Sequence, residues 1–127
     1  MSEHILDASA VLASILREPG FEAVNAVVRE SYVSTVNLAE VASKLADRGY
    51  SDASVDWTIR EVAAVVVPFS DTTAIATGLL RPATRTAGLS LGDRACLALA
   101  IELDLPALTA DRRWKHVRTR AKVELIR

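Results

Sequence analysis

The sequence predicts a three-layer α/β/α sandwich around a five-stranded, mostly parallel sheet. Short apolar runs alternate with longer stretches of helical spacing in the order β-α-α-β-α-α-β-α-α-β-α-β. Cap and turn residues punctuate the boundaries between them. The chain has 127 residues, half of them apolar and only 5% aromatic. That length suits one domain spanning residues 1–127, with a core built from Ala, Val, Leu and Ile rather than from rings.

His4–Leu6 reads as the first strand. Ser9–Arg17 follows as a helix, with Val11, Leu12, Ile15 and Leu16 at helical spacing. Pro19-Gly20 breaks it, and Pro19 suits the first turn of a second helix over residues 19–30. Tyr32–Thr35 is the second strand. Asn37–Arg48 is a helix with Leu38, Val41, Ala42 and Leu45 on one face, ended by Gly49 as a left-handed cap. Ser51 and Asp52 start a helix to Ala63, which enters a buried third strand, Val65–Phe69. Asp71 or Thr72 caps a helix to Leu80. Pro82 stops that helix, and Pro82–Gly88 forms a polar connector. Ser90 opens a strongly apolar helix to Leu103, which Asp104 closes before the fourth strand, Pro106–Thr109. Arg112–His116 is one helical turn, and Val123–Ile126 is a final edge strand.

Composition excludes several function classes. The single cysteine, Cys96, permits no internal disulfide, suits a reducing cytoplasm and reads as a small buried hydrophobe. MSEHILD is too short and polar for a secretory signal. No apolar run approaches the ~20 residues of a membrane helix, so a cytoplasmic chain without a membrane partner is expected. His4 and His116 are far apart, and no HxxxH or Cys/His spacing suggests zinc. The five glycines are scattered, so there is no phosphate-binding loop, and no GxSxG elbow is present.

The chemistry lies in four acids: Asp7 in HILDASAVLA, Glu40 in VNLAEVASKL, Asp93 in LSLGDRACLALA and Asp111 in PALTADRRW. Asp7 and Asp111 follow strands; Glu40 and Asp93 lie at helix starts. In a parallel sheet these positions share one edge. Strands one and four become neighbours if the strand order reverses beside strand one, and the crevice outside that reversal is where such folds bind ligands. Two carboxylates at ~4 Å repel by about 4 kcal/mol at an effective dielectric of about 20. Four together must hold protons or bind a cation, and a hard ion such as Mg²⁺ suits oxygen donors. The pattern points to metal-assisted cutting of a phosphodiester.

Each acid also has a plainer role. Asn37-Leu-Ala-Glu40 and Ser90-Leu-Gly-Asp93 both have capping-box spacing, and Asp7 and Asp111 can serve as N-caps. A cap role does not exclude a metal role, because helix starts carry partial positive charge that steadies an anionic cluster. Ser9 and Thr109 sit two residues from Asp7 and Asp111 respectively. They can orient a carboxylate or a metal-bound water, or simply cap and pack.

Charge is unevenly placed. Residues 1–111 hold 8 Lys and Arg against 15 Asp and Glu, whereas residues 112–127 hold seven against one. A basic rim beside an acid cluster suits a polyanion; it equally suits a solvated surface or counter-charges for the protein's own acids. Arg112 and Arg113 directly follow Asp111 and can clamp phosphates. Arg94, turned away from Asp93 by the helix, suits a dimer contact instead. Trp57 and Trp114 read as packing or partner surface, with stacking on a base open for Trp114.

With LDASAVLA, VNLAEVASKLADRG, GLSLGDRACLALA and LTADRRW in this order across almost the whole chain, the sequence resembles PIN-domain proteins. More narrowly, it is similar to the VapC toxins of bacterial toxin–antitoxin pairs. The resemblance implies a five-stranded sheet in order 3-2-1-4-5 between helices, and a ribonuclease dependent on Mg²⁺ or Mn²⁺. It maps the acid quartet onto Asp7, Glu40, Asp93 and Asp111, with Asp7 and Asp93 as direct ligands and the other two completing the site directly or through water. It further implies RNA as substrate, a homodimer, and a VapB-like antitoxin whose basic side chain enters the acidic pocket. Two rivals remain. A PIN-like module that binds RNA or protein without cutting would leave the acids without a catalytic task. A phosphoacceptor receiver would need paired acids ending its first strand, where Leu6 precedes Asp7, and a late lysine after a strand.

Overall fold

A computed structural model describes residues 3–127. Met1 and Ser2, which open the polar stretch read against a secretory signal, lie outside the described residues. Strands β1 (Ile5–Leu6), β2 (Tyr32–Ser34), β3 (Val65–Val67), β4 (Ala107–Thr109) and β5 (Val123–Leu125) form one sheet in the order β3-β2-β1-β4-β5. Every pairing is parallel, so the sheet is wholly rather than mostly parallel. The helices are α1 (Ala8–Leu16), α2 (Phe21–Asn25), α3 (Thr35–Asp47), α4 (Asp52–Glu61), α5 (Asp71–Leu79), α6 (Arg81–Thr84) and α7 (Leu91–Leu103). None among the described residues is long and apolar enough to cross a membrane.

The pleat divides the core. Successive strand residues point to opposite faces, so Leu6 and Leu108 join Val11, Val33, Val41 and Leu45 in one layer. Ile5 and Ala107 join Cys96, Leu97, Leu99 and Trp114 in the other. Helices α1–α4 supply the first layer, and α7 backs the second.

Several local expectations are corrected. Helix α3 starts at Thr35, not Asn37, because the Ser34 hydroxyl caps it by accepting from the Val36 amide. The stretch 19–30 is not one helix. Pro19 lies outside α2, Gly20 takes a left-handed conformation, and the stretch ends in a 3₁₀ turn at Val28–Glu30. Strand β3 is an edge strand with Val65 and Val66 about half exposed, so it is not buried. Ser70, rather than Asp71 or Thr72, caps α5. Pro82 does not end the helical path: it sits in the first turn of α6, where a missing amide hydrogen costs nothing. Trp114 is buried and cannot stack on a base. Gly49 is left-handed after α3, and Asp104 closes α7 in the same conformation, as expected.

Candidate active site

Asp7 leaves β1 at the point where the sheet's order turns back. It occupies the N-cap position of α1 but makes no side-chain cap bond. Its Oδ2 instead accepts the hydroxyls of Ser9 at 2.7 Å and Thr109 at 2.9 Å. Those hydroxyls accept in turn from the next stretch of backbone: Ala110 N donates to Ser9 and Asp111 N to Thr109. Asp7 is buried, and its pKa rises from 3.8 to about 6. Burial is the largest cause; the Ser9 hydroxyl opposes it, and the negative charges of Asp93 and Glu40 add to it.

Glu40 lies in the second turn of α3 because that helix begins early. The expected capping box at Asn37 is therefore absent. Asn37 is fully buried, and its amide donates to Glu40 Oε1 at 2.8 Å and to the Gly92 carbonyl at 3.0 Å, joining α3 to α7. A Cβ at Gly92 would overlap the Glu40 carboxyl group, so glycine is what lets the helices meet there. Burial raises the pKa of Glu40; Asn37 opposes this, Asp93 adds to it, and Lys44 lowers it.

Asp93 does form a capping box with Ser90: Ser90 N donates to Asp93 Oδ2 at 2.8 Å, and Asp93 N to Ser90 Oγ at 3.2 Å. Asp111 follows β4 and caps the 3₁₀ turn Arg112–His116. Its oxygens receive Arg113 Nε at 3.0 Å and Nη2 at 2.6 Å, and this guanidinium holds its carboxyl below the usual range.

All four acids line one hollow of about 180 Å³, together with Ser9, Leu12 and Lys44. Sequence reading missed Lys44, although its position one helical turn after Glu40 was the available signal. Asn37 was noticed only as a cap. Arg112 is exposed, and Arg94 donates to the Thr77 carbonyl inside the fold. Parts of the basic tail are structural: Lys115 binds the Val123 carbonyl and Arg127 that of Pro19. A larger groove of about 960 Å³ lies between α3 and α4 and touches none of the four acids. Its lining is mainly apolar, and its Asp56 and Arg60 pair with each other, so the smaller hollow is the candidate site.

The donor set fits a hard divalent ion in chemistry, being all carboxylate and mutually repelling. It is not preassembled. Among the described residues, no three His, Cys, Asp or Glu side chains are grouped so as to hold a metal ion. Asp111 is turned to Arg113, and Asp93 to its own helix start.

The decisive comparison is with protein families: the PIN domain model matches residues 4–119. The chain belongs to the PIN-domain family. This PIN domain is similar to a chain of DNA-bound VapBC from Salmonella typhimurium, with TM-score 0.79 and 17% identity over 100% of both chains. It is similar to a chain of VapBC2 from Rickettsia felis, crystallised with a promoter DNA fragment, with TM-score 0.73 and 16% identity over 97% of this chain and 98% of that one. VapBC-5 from Mycobacterium tuberculosis gives TM-score 0.68 and 25% identity over 100% and 99%. No curated protein sequence matches the chain.

Proposed function

We propose that this PIN domain is a divalent-metal-dependent endoribonuclease, the VapC-like toxin of a toxin–antitoxin pair acting in the cytoplasm. One observation carries the reading: Asp7, Glu40, Asp93 and Asp111, from four separate stretches of chain, line one hollow at the sheet's switch point. Asp7 and Asp93 would hold Mg²⁺ or Mn²⁺, with Asp111 and Glu40 completing the set directly or through water. Bound there, the ion supplies Lewis acidity toward a phosphodiester. Ser9 and Thr109 fix the Asp7 carboxylate from behind. Glu40, with its raised pKa and its place beside Lys44, is suited to take the proton of an attacking water. Arg112 is exposed next to Asp111 in the chain, suited to a phosphate.

The partners follow from the family and its structural neighbours, several of which are toxin–antitoxin complexes. A VapB-like antitoxin would neutralise the hollow with a basic side chain. A homodimer is supported by exposed Ile75 and Leu79, one turn apart on α5, and exposed Leu91.

Purified protein incubated with labelled total RNA tests the reading. Products that form with Mg²⁺ or Mn²⁺ and vanish with EDTA are expected. RNA binding without any divalent-dependent product would favour the non-catalytic alternative.

A further inference from the structure

The Arg113 guanidinium contacts two of the four acids that line the hollow, and it is held from three sides. Its Nε and Nη2 fork onto both Asp111 oxygens, at 3.0 and 2.6 Å. Its Nη2 lies 3.9 Å from Asp93 Oδ2. Its Nη1 donates to the Gly88 carbonyl at 3.1 Å. Gly88 has a φ of +71°, a conformation that favours glycine, and it turns the connector before α7 so that this carbonyl reaches the arginine. Asp93 and Asp111 are thus joined by a positive charge that belongs to the chain itself.

We propose that Arg113 is an internal latch: a built-in counter-ion that occupies Asp111 and Asp93 in the metal-free protein and must leave before a divalent cation can use them. This rests on the reading of the hollow as a cation site and adds a regulation of that site. The Arg113 side chain remains 55% exposed against 22% for Asp111, so the pair is solvent-screened and is readily displaced by a doubly charged ion. Both Asp111 oxygens are engaged by Arg113 in this arrangement.

Arg112 provides the control. It is exposed on the same turn, carries the same charge, and makes no hydrogen bond or ion pair among the described residues. Removing it changes the local field without opening a latch. The test is the Mn²⁺ affinity of wild-type protein, Arg113→Ala, Arg113→Gln and Arg112→Ala by calorimetry, with the Arg113 Nε–H resonance followed by NMR as Mg²⁺ is added to wild type. The latch predicts that both Arg113 variants bind Mn²⁺ about three- to tenfold more tightly than Arg112→Ala, as expected for loss of a competing ion pair with several anchors. It also predicts that the wild-type Nε–H resonance moves as Mg²⁺ binds. If wild type binds Mn²⁺ but the Arg113 variants bind no more tightly than Arg112→Ala, the latch is overturned and the cation site stands. If no form binds Mn²⁺, both fall.

Discussion

Thr109 donates its hydroxyl to Asp7 Oδ2 across 102 residues of sequence and accepts the Asp111 amide with the same oxygen. One side chain thus fixes the first acid of the quartet to the backbone of the fourth. Thr109→Val keeps the shape and removes both bonds. It leaves a buried carboxylate short of a donor and a backbone amide unpaired, at a cost of about 1–3 kcal/mol. Urea denaturation measures the loss. NMR of the Asp7 carboxyl should show its pKa rising above about 6. An unchanged pKa would mean that Thr109 does not support the carboxylate.

The raised pKa of Asp7 makes stability depend on pH in a defined sense. The folded protein holds this proton more tightly than the unfolded chain does, about 6 against 3.8. Stability therefore falls as pH rises from about 4 through about 6, by on the order of 3 kcal/mol, and levels off above. Asp7→Asn resembles the neutral acid and escapes that fall. It should be more stable than wild type near about pH 7.5 and close to it below about pH 4. Mg²⁺ should recover part of the difference in wild type and little in the variant. Thermal melts across this range, with and without Mg²⁺, check both effects; a wild type that grows steadily more stable toward neutral pH contradicts them.

Gly92→Ala tests the contact between α3 and α7. The new methyl group overlaps the Glu40 carboxyl, which Asn37 holds in place, so the helices must separate or Glu40 must turn away. The expected cost is about 1–3 kcal/mol, with a loss of RNA cleavage of at least about tenfold. Glu40→Ala in the same chain should return most of the stability and none of the activity. Purely additive stability losses would show that the two residues do not collide.

The elements and layers were legible because each rests on local pattern, whereas the strand order came from the resemblance to PIN domains. Alternation of apolar runs sets the elements, and the pleat sends Ile5 and Leu6 to opposite layers. The positions of the acids follow from parallel strands sharing one edge. What escaped depends on side chains competing for the same amide or carboxylate. Ser34 and Asn37 are both good caps three residues apart, and only packing decides that Asn37 goes into the core. Arg113 was read as facing RNA, whereas its nearest carboxylate, two residues back, takes it. The exposure of β3 was hidden because a valine run looks the same at an edge as at the centre.

The central claim is that the four carboxylates act together on one divalent cation, and binding of Mn²⁺ measured by electron paramagnetic resonance tests it most directly. Wild-type protein should bind Mn²⁺ saturably, and Asp7→Asn and Asp93→Asn, both folded, should each weaken binding at least about tenfold. Equal Mn²⁺ binding by wild type and both variants would contradict the account.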